Sequence, residues 1–484
     1  MARSIVSIDD LSNEEIEAIF RLADQYLAEM GTPGRPHRVQ GRRRDAESYI
    51  LATIFFEPST RTRLSFESAM LRLGGTTISS ADPNSSSAVK GETIADTVRV
   101  CENYADLLVI RHPHEGAAKV AAEYTSVPVI NAGDGSHEHP TQTLCDLYTL
   151  RAAQKEKGAA PGIESLRDMN VVIWGDLHHG RTVHSLVFAL ARFGARIIPL
   201  AAPGCEFPEH VQQRLARDYN CFPLSRKDVD SLPEDALPAD VLYVTPDQPH
   251  QLALISNVWF QLSEKQQASI RSIKSIDAFY STRLQRERLA PGQQVGEYPV
   301  IDSQFLKEKK YRQAQVLHPL PRVDELSYDV DQDQRGVYFK QASYGVPVRM
   351  ALIAALLELQ PSLLGAERKR NYPGYQHADG LECSNSRCVT RQEAERRYLV
   401  PKFSIVDANV PILRCAYCDH EQRPQAVGRA STHKYTTELA EWQQIHAQDL
   451  VFFLNEQQAL NAGYQLKKTG RSSSSAALAA QPSE

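Results

Sequence analysis

No apolar run in the sequence approaches the roughly 20 residues that a membrane-spanning helix needs. Nothing behind the single Arg of the opening Met1-Ala2-Arg3-Ser4-Ile5-Val6 forms the continuous apolar segment of a secretory signal, so a cytoplasmic protein with no membrane partner is expected. An excess of positive charge is missing as well: 54 Lys and Arg stand against 59 Asp and Glu, which argues against a nucleic-acid partner. Cysteine is sparse and unevenly spread. Cys101, Cys145, Cys205 and Cys221 occur singly, as buried thiols do, whereas Cys383, Cys388, Cys415 and Cys418 form two close pairs. What the chain does have is length: 484 residues, 42% of them hydrophobic, suffice for several cores and about three domains.

The first half alternates helix-like and strand-like stretches. Residues 8–30 have the spacing of an amphipathic helix with Ser12 or Asn13 as cap, and the Gly/Pro/Arg-rich residues 31–45 form a loop. An apolar strand over 50–56 stops at Pro58, after which Leu64, Phe66, Met70, Leu71 and Leu73 recur at helical spacing. A short strand over 76–80, a polar loop over 82–91 and a helix over 92–104 follow. Two buried strands come next, 107–110 running into Arg111-His112-Pro113 and 127–131 running into Ala132-Gly133-Asp134-Gly135. This alternation implies α/β architecture around a parallel sheet.

Ligands of such sheets collect beyond the carboxyl ends of the strands. Ser59-Thr60-Arg61-Thr62-Arg63 falls there, at a helix start, where unpaired N–H groups and the macrodipole favour an anion. The alternative is a Ser helix cap beside a solvated Arg pair. Arg111 and His139 also lie just past strand ends, and Pro140 suits the first position of a second helix. His139 is then either a neutral donor to a carbonyl oxygen or a simple cap. Convergence of these groups on one edge favours a site for a phosphate and a carbonyl.

Together, Ser59-Thr60-Arg61-Thr62-Arg63, Arg111-His112-Pro113, His139-Pro140-Thr141-Gln142 and His318-Pro319-Leu320-Pro321 resemble the carbamoyltransferase family over residues 8–360, and the last motif resembles its aspartate carbamoyltransferase branch. The resemblance implies two similar doubly wound parallel-sheet domains around a substrate crevice. It implies that Ser59, Thr60, Arg61 and Thr62 hold the phosphate of carbamoyl phosphate, that Thr62, Arg111 and His139 polarise its carbonyl, and that Gln142 receives its NH2. Ser86 and Lys90 would enter from the neighbouring subunit of a homotrimer, or a higher multiple of it, with shared active sites. Val89 stands where a second basic residue usually precedes that Lys, which implies weaker phosphate attraction by the loop.

Residues 151–169 read as a polar connection between domains, and the strand at 170–176 feeds a helix beginning near Gly180-Arg181. The resemblance gives Arg181 the α-carboxylate of L-aspartate, a task suited to a bidentate guanidinium; His184 reads as packing. The strand at 240–248 resembles the one that delivers an Arg and a Gln to the aspartate side chain, yet Pro246 occupies the Arg position. A second copy of the pattern, Thr282-Arg283-Leu284-Gln285-Arg286-Glu287-Arg288, makes Arg283 and Gln285 the expected contacts and residues 246–275 an insertion. Leu320 and Pro321 complete the substrate contacts, and Glu57 is expected to latch the domains closed through Arg181 and Arg288. Residues beginning at Pro347 form an apolar helix that returns to the first domain. The implied reaction, transfer of the carbamoyl group to L-aspartate toward pyrimidines, requires no cofactor of its own.

After a linker over 365–380, Cys383-x4-Cys388 and Cys415-x2-Cys418 bracket a stretch of strand character, the spacing of a closed structural zinc site with four thiolates. The spacing is similar to the zinc domain of the regulatory chain of bacterial aspartate carbamoyltransferases, with no nucleotide-binding domain of roughly 90 residues before it. A single structural zinc in a small β domain, serving oligomer contacts, is therefore expected. The resulting division is 1–150 for carbamoyl phosphate, 151–340 for aspartate, 341–364 for the returning helix, 381–436 for zinc, and 437–484 for a helical, then disordered, tail.

Overall fold

The computed structural model describes residues 2–30, 43–80, 90–156, 158, 162–178, 181–201, 204–223, 239–245, 276–283, 300–360, 362–365, 372–375, 381–393, 398–407 and 409–467, without the side chains of Arg181, Thr182, Val244, Thr245 and Lys310. The chain divides into two compact units, Met1–Arg370 with Arg387–Val389, and Asn371–Ser386 with Thr390–Glu484. No helix among the described residues is long and apolar enough to cross a membrane.

The first unit holds two parallel sheets. Strands β1 (Ile50–Phe55), β2 (Thr76–Ser80), β3 (Leu107–His112) and β4 (Val129–Asp134) lie in the order β2-β1-β3-β4. Strands β5 (Asn170–Gly175), β6 (Arg196–Ala201), β7 (Val241–Thr245), β8 (Ala278–Ser281) and β9 (Gln315–Leu317) lie in the order β6-β5-β7-β8-β9. Chain order reverses between β1 and β3 and again between β5 and β7, and such switch points open a crevice beyond the carboxyl ends of the strands. Helices α1 (Asn13–Met30), α2 (Thr60–Leu73), α3 (Ile94–Cys101), α4 (Ala117–Glu123) and α5 (Pro140–Glu156) accompany the first sheet, and α6 (Arg181–Arg192) and α7 (Glu209–Tyr219) the second. Phe20, Leu144, Tyr148, Val187, Met350 and Ile353 belong to one buried apolar cluster shared by both sheets. Each such side chain contributes about 1.5–3 kcal/mol, so the two sheets are held as one body.

Three local expectations in this unit need correcting. Ahead of α1, residues Ile8–Asp10 form a separate 3-10 turn capped by Ser7, and Ser12 caps α1 by accepting from the Glu15 N–H. Helix α5 runs on to Glu156, so the expected connection is helical over its first six residues, because Leu150 and Ala153 are buried and extend the apolar face. Helix α8 (Tyr338–Leu356) starts nine residues before Pro347, which lies inside it. Pro347 has no N–H for the preceding turn, but burial on nearly every side, against α1, α2 and α5, outweighs that loss. The returning helix thus packs where expected but begins earlier.

In the second unit, β10 (Gly374–Tyr375), β11 (Phe403–Ile405), β12 (Leu413–Cys415) and β13 (Glu421–Gln422) form an antiparallel sheet, so part of the expected linker is a strand. A further sheet, β16-β14-β15-β17, joins β14 (Ala426–Arg429), β15 (Lys434–Thr436), β16 (Leu450–Phe453) and β17 (Gln465–Leu466). The expected helix after residue 437 is therefore a 3-10 turn, a strand and a short helix, α9 (Glu456–Asn461). Leu450-Val451-Phe452-Phe453 has β-branched and aromatic residues that pair along β14, which overrides the helix formers flanking it. Residues 468–484, expected to be disordered, lie outside the described residues.

Candidate active site

Two helix starts and two strand ends meet at the carboxyl edge of the first sheet. At α2 the N-cap residue is Ser59, with extended backbone, but its hydroxyl makes no capping hydrogen bond. The plain capping alternative therefore fails, and the donors of this turn remain available for an anion. Thr62 is buried, while Thr60 and Arg61 are exposed. Arg61 reaches across the crevice and donates from Nη2 to the Leu320 carbonyl at 2.6 Å. Leu320 itself has a left-handed φ of +53°, a conformation that a branched side chain adopts only where its surroundings enforce it. Partial burial, together with the positive charge of Arg283, lowers the pKa of Arg61. Two guanidinium groups from different sheets thus bias the crevice toward anions.

At the β3–β4 edge the register shifts between Ile110 and His112, so that β4 carries one extra residue opposite Arg111. Such a bulge re-aims a side chain. Arg111, 7% exposed, donates from Nη1 to the Ala132 carbonyl at 3.1 Å and pairs through Nη2 with Glu57 at 3.1 Å. Gly133, with φ of +116°, makes the close approach possible: a Cβ there would lie 3.1 Å from Arg111 Nη1 and 3.3 Å from His139 Cδ2. Arg111 and His139 therefore flank the same backbone atom. Neighbouring His112 is buried and neutral, its pKa pushed down to about 3 by burial.

His139 caps α5. Its Nδ1 accepts from the Gln142 N–H at 3.3 Å, so in the neutral ring the proton resides on Nε2. Capping and proton donation are not alternatives here, since the cap fixes the tautomer that makes Nε2 a donor. The His139 N–H is in turn held by Ser185 Oγ of α6 at 3.2 Å. Glu138, fully buried, accepts from Ser7 Oγ at 2.7 Å and from the Ile8 N–H at 3.1 Å. Sequence reading missed Glu138 and Ser185, for nothing local marks a carboxylate whose donors lie 130 residues away. Adjacency to His139 was the only available signal.

On the other wall, His318 closes β9. The Leu320 N–H donates to His318 Nδ1 at 2.9 Å, and Nε2 faces Glu325 at 2.9 Å. This ring holds the loop rather than facing the crevice. Arg322 is engaged by Asp331 and stacks on Tyr328 with 3.9 Å to the ring centroid. His184 donates from Nε2 to the Leu177 carbonyl at 2.8 Å and is pushed down to about 4 by burial, a packing role as expected. Arg283 follows β8 on the same edge, and Arg181 opens α6. Glu57, expected as a latch between domains, is engaged by Arg111 of its own domain, while the Arg181 side chain, Arg288 and Gln285 lie outside the description. So do Ser86, Val89, Pro246 and residues 246–275; Lys90 is described and exposed.

In the cysteine-bearing region, the Sγ atoms of Cys383, Cys388, Cys415 and Cys418 all lie within 4.8 Å of one another, and all four residues are buried. Cys383 and Cys418 are 3.7 Å apart. Tetrahedral Zn–S bonds of about 2.3 Å require an S···S edge of about 3.8 Å, so the four thiols fit a metal of that kind.

Known proteins match the chain along most of its length. Residues 3–152 match the family model described as aspartate/ornithine carbamoyltransferase, carbamoyl-P binding domain, and residues 246–356 the Asp/Orn binding domain. Residues 378–427 match the aspartate carbamoyltransferase regulatory chain, metal binding domain. The aspartate carbamoyltransferase catalytic subunit of Picrophilus torridus is 41% identical over 362 residues, 73% of this chain and 98% of the relative, and that of Clostridium acetobutylicum is 41% identical over 361 residues with the same coverage. Among solved structures, the catalytic subunit of M. jannaschii aspartate transcarbamoylase aligns with a TM-score of 0.54 at 37% identity, covering 74% of this chain and 99% of that one. Aspartate transcarbamoylase from Trypanosoma cruzi in complex with carbamoyl phosphate and aspartate aligns with a TM-score of 0.52 at 29% identity, covering 73% and 94%. With Arg111 and His139 joined at Gly133 and Arg61 bridging to Leu320, the site and these likenesses agree: the chain belongs to the aspartate carbamoyltransferase family, its C-terminal part matching the metal-binding domain of the regulatory chain.

Proposed function

We propose that the crevice performs the family's reaction, transfer of the carbamoyl group of carbamoyl phosphate to L-aspartate, with the following division of labour. The N–H groups of the first α2 turn, with Ser59, Thr60, Arg61 and Thr62, hold the phosphate. Thr62, Arg111 and His139 Nε2–H polarise the carbonyl and stabilise the oxyanion, where one donor is typically worth about 3 kcal/mol. Gln142 receives the carbamoyl NH2. Arg181 holds the aspartate α-carboxylate, Arg283 and Gln285 its side chain, and Leu320 and Pro321 border both substrates. The unprotonated α-amino group attacks the carbamoyl carbon, the C–O bond to phosphate breaks, and the departing phosphate takes the amine proton. Bringing both substrates into one crevice removes much of the entropy of encounter, worth up to roughly 7–11 kcal/mol.

The observation that carries this reading is the meeting of Arg111 and His139 at Gly133, with the His139 tautomer fixed by its own helix. Incubating the protein with carbamoyl phosphate and aspartate, ornithine or other amines tests it, by phosphate release and identification of the product. Release with aspartate alone is expected, and release with ornithine but not aspartate would overturn the assignment. Exposure of Lys90 agrees with the trimeric arrangement in which it and Ser86 serve a neighbouring subunit. Mixing Lys90→Ala and His139→Ala subunits should then restore part of the activity that each lacks, and no recovery would count against shared sites. The four cysteines are assigned one structural zinc, the thiolates closing its shell and supplying folding energy to this small β region. A metal analysis giving one zinc per chain is expected.

A further inference from the structure

Asp146, one turn beyond Gln142 on α5 and 1% exposed, gathers three hydrogen bonds on a single oxygen. Its Oδ1 accepts from Gln142 Nε2 at 2.9 Å, from Gln341 Nε2 of α8 at 2.9 Å, and from the Tyr280 hydroxyl of β8 at 3.2 Å. Oδ2 is buried and has no partner among the described residues. Each donor belongs to an element that bears on the crevice. Tyr280 stands three residues before Arg283, and Gln341 Oε1 accepts from the His318 N–H at 2.9 Å, at the root of the loop whose Leu320 carbonyl meets Arg61.

Ionised, or protonated on the unpartnered Oδ2, Asp146 offers Oδ1 only as an acceptor, so the NH2 end of the Gln142 amide must face it and the carbonyl oxygen must face away. That is the polarity needed to receive an N–H donor. We propose that Asp146 is a positioning residue for the transfer reaction: it fixes the Gln142 amide with its oxygen toward the carbamoyl nitrogen and ties that orientation to the Tyr280 strand and the His318 loop on the aspartate side. The proposal rests on the reading of Gln142 as the contact of the carbamoyl NH2. Burial raises the pKa of Asp146 to about 7 against these three donors and the charge of Arg349. Holding an ionisable group in such surroundings costs stability, as expected of a residue kept for orientation.

Acetyl phosphate, which carries CH3 where the substrate carries NH2, reads out the amide orientation. The preference for carbamoyl over acetyl phosphate is measured as the ratio of acetyl phosphate inhibition constant to carbamoyl phosphate KM. Gln142→Ala should reduce it about fivefold or more, the effect of one hydrogen bond. Asp146→Ala should reduce it to a similar degree, the double variant no further than the single ones, and Asp146→Asn, which keeps an acceptor oxygen for the same donors, should retain most of it. Should Asp146→Ala not fold, Asp146→Ser, too short to reach Gln142, takes its place. An unchanged ratio in Gln142→Ala overturns the reading of Gln142 and the proposal with it. A reduced ratio there, combined with an unchanged ratio in Asp146→Ala or Asp146→Ser, or with multiplying effects in the double variant, overturns the role of Asp146 alone.

Discussion

The starts of α2 and α5 face the same crevice, yet their caps are used in opposite ways. Ser59, a residue type favoured for capping, leaves its hydroxyl out of the helix, whereas His139, a poor candidate by propensity, caps α5 through Nδ1. At α2 the proposed binding device is the first turn itself, which no side chain caps. At α5 the capped turn fixes a ring, and the other nitrogen is the proposed device. In the proposed reaction, helix-terminal chemistry thus serves the ligand at one end and the tautomer at the other.

Removing the second device should have the largest effect. His139→Ala is expected to lower kcat by about 10²–10³-fold, the scale of a lost oxyanion donor, and to lower stability by about 1 kcal/mol through the lost cap. Steady-state rates and urea unfolding would check the pair, and a rate within tenfold of the parent would break the comparison. Next comes Gly133→Ala, whose Cβ meets both Arg111 and His139 and whose φ of +116° disfavours any side chain. Misplacing both groups should reduce kcat/KM for carbamoyl phosphate by roughly 10–100-fold.

Ser59→Ala sharpens the contrast from the other side. Loss of a hydrogen bond to phosphate should weaken carbamoyl phosphate binding by about tenfold, while thermal unfolding of the free protein stays within about 0.5 kcal/mol, since no cap is lost. Thr93→Ala is the matching control, because the Thr93 side chain does cap α3 by accepting from the Asp96 N–H at 3.1 Å. That variant should lose about 1 kcal/mol of stability and no substrate affinity. Equal stability losses in the two variants would erase the distinction.

The smallest change concerns His184, in the first turns of α6. Its folded pKa is depressed to about 4 from an ordinary 6.5 by burial, so the unfolded state binds its proton first and stability falls as pH drops through 6.5 toward 4. Between pH 7.5 and 5.5 this amounts to about 1 kcal/mol. His184→Gln, which keeps a donor for Leu177, should flatten that part of the stability profile in urea titrations and leave kcat at pH 7.5 unchanged.

The strand-helix alternation was legible because strands such as Leu107–His112 are apolar throughout and bounded by turn residues, and because Pro140 marks a helix start. The helix start at Ser59, the ring at His139 and the four cysteines were legible because each is a short local pattern with its own chemistry. Residues around 450 were not, because a four-residue apolar run flanked by helix formers has no period of its own; pairing with β14 chose the strand. Helix α8 was misplaced for a similar reason, since Pro347 reads locally as a start and only burial against α1, α2 and α5 sustains a helix through it.

The sequence by itself therefore determined the parallel α/β class, the helix starts at the strand ends and the two cysteine pairs, all carried by residues within a few positions of one another. Tertiary structure alone decided that Ser59 does not cap, that Arg111 and Glu57 pair, that Ser185 holds the His139 N–H, and that Asp146 collects donors from three elements. The physical reason is range. Propensity and helix-terminal chemistry act over one or two turns, whereas a buried carboxylate takes whatever donor the fold brings within about 3 Å, however far away it lies in the chain.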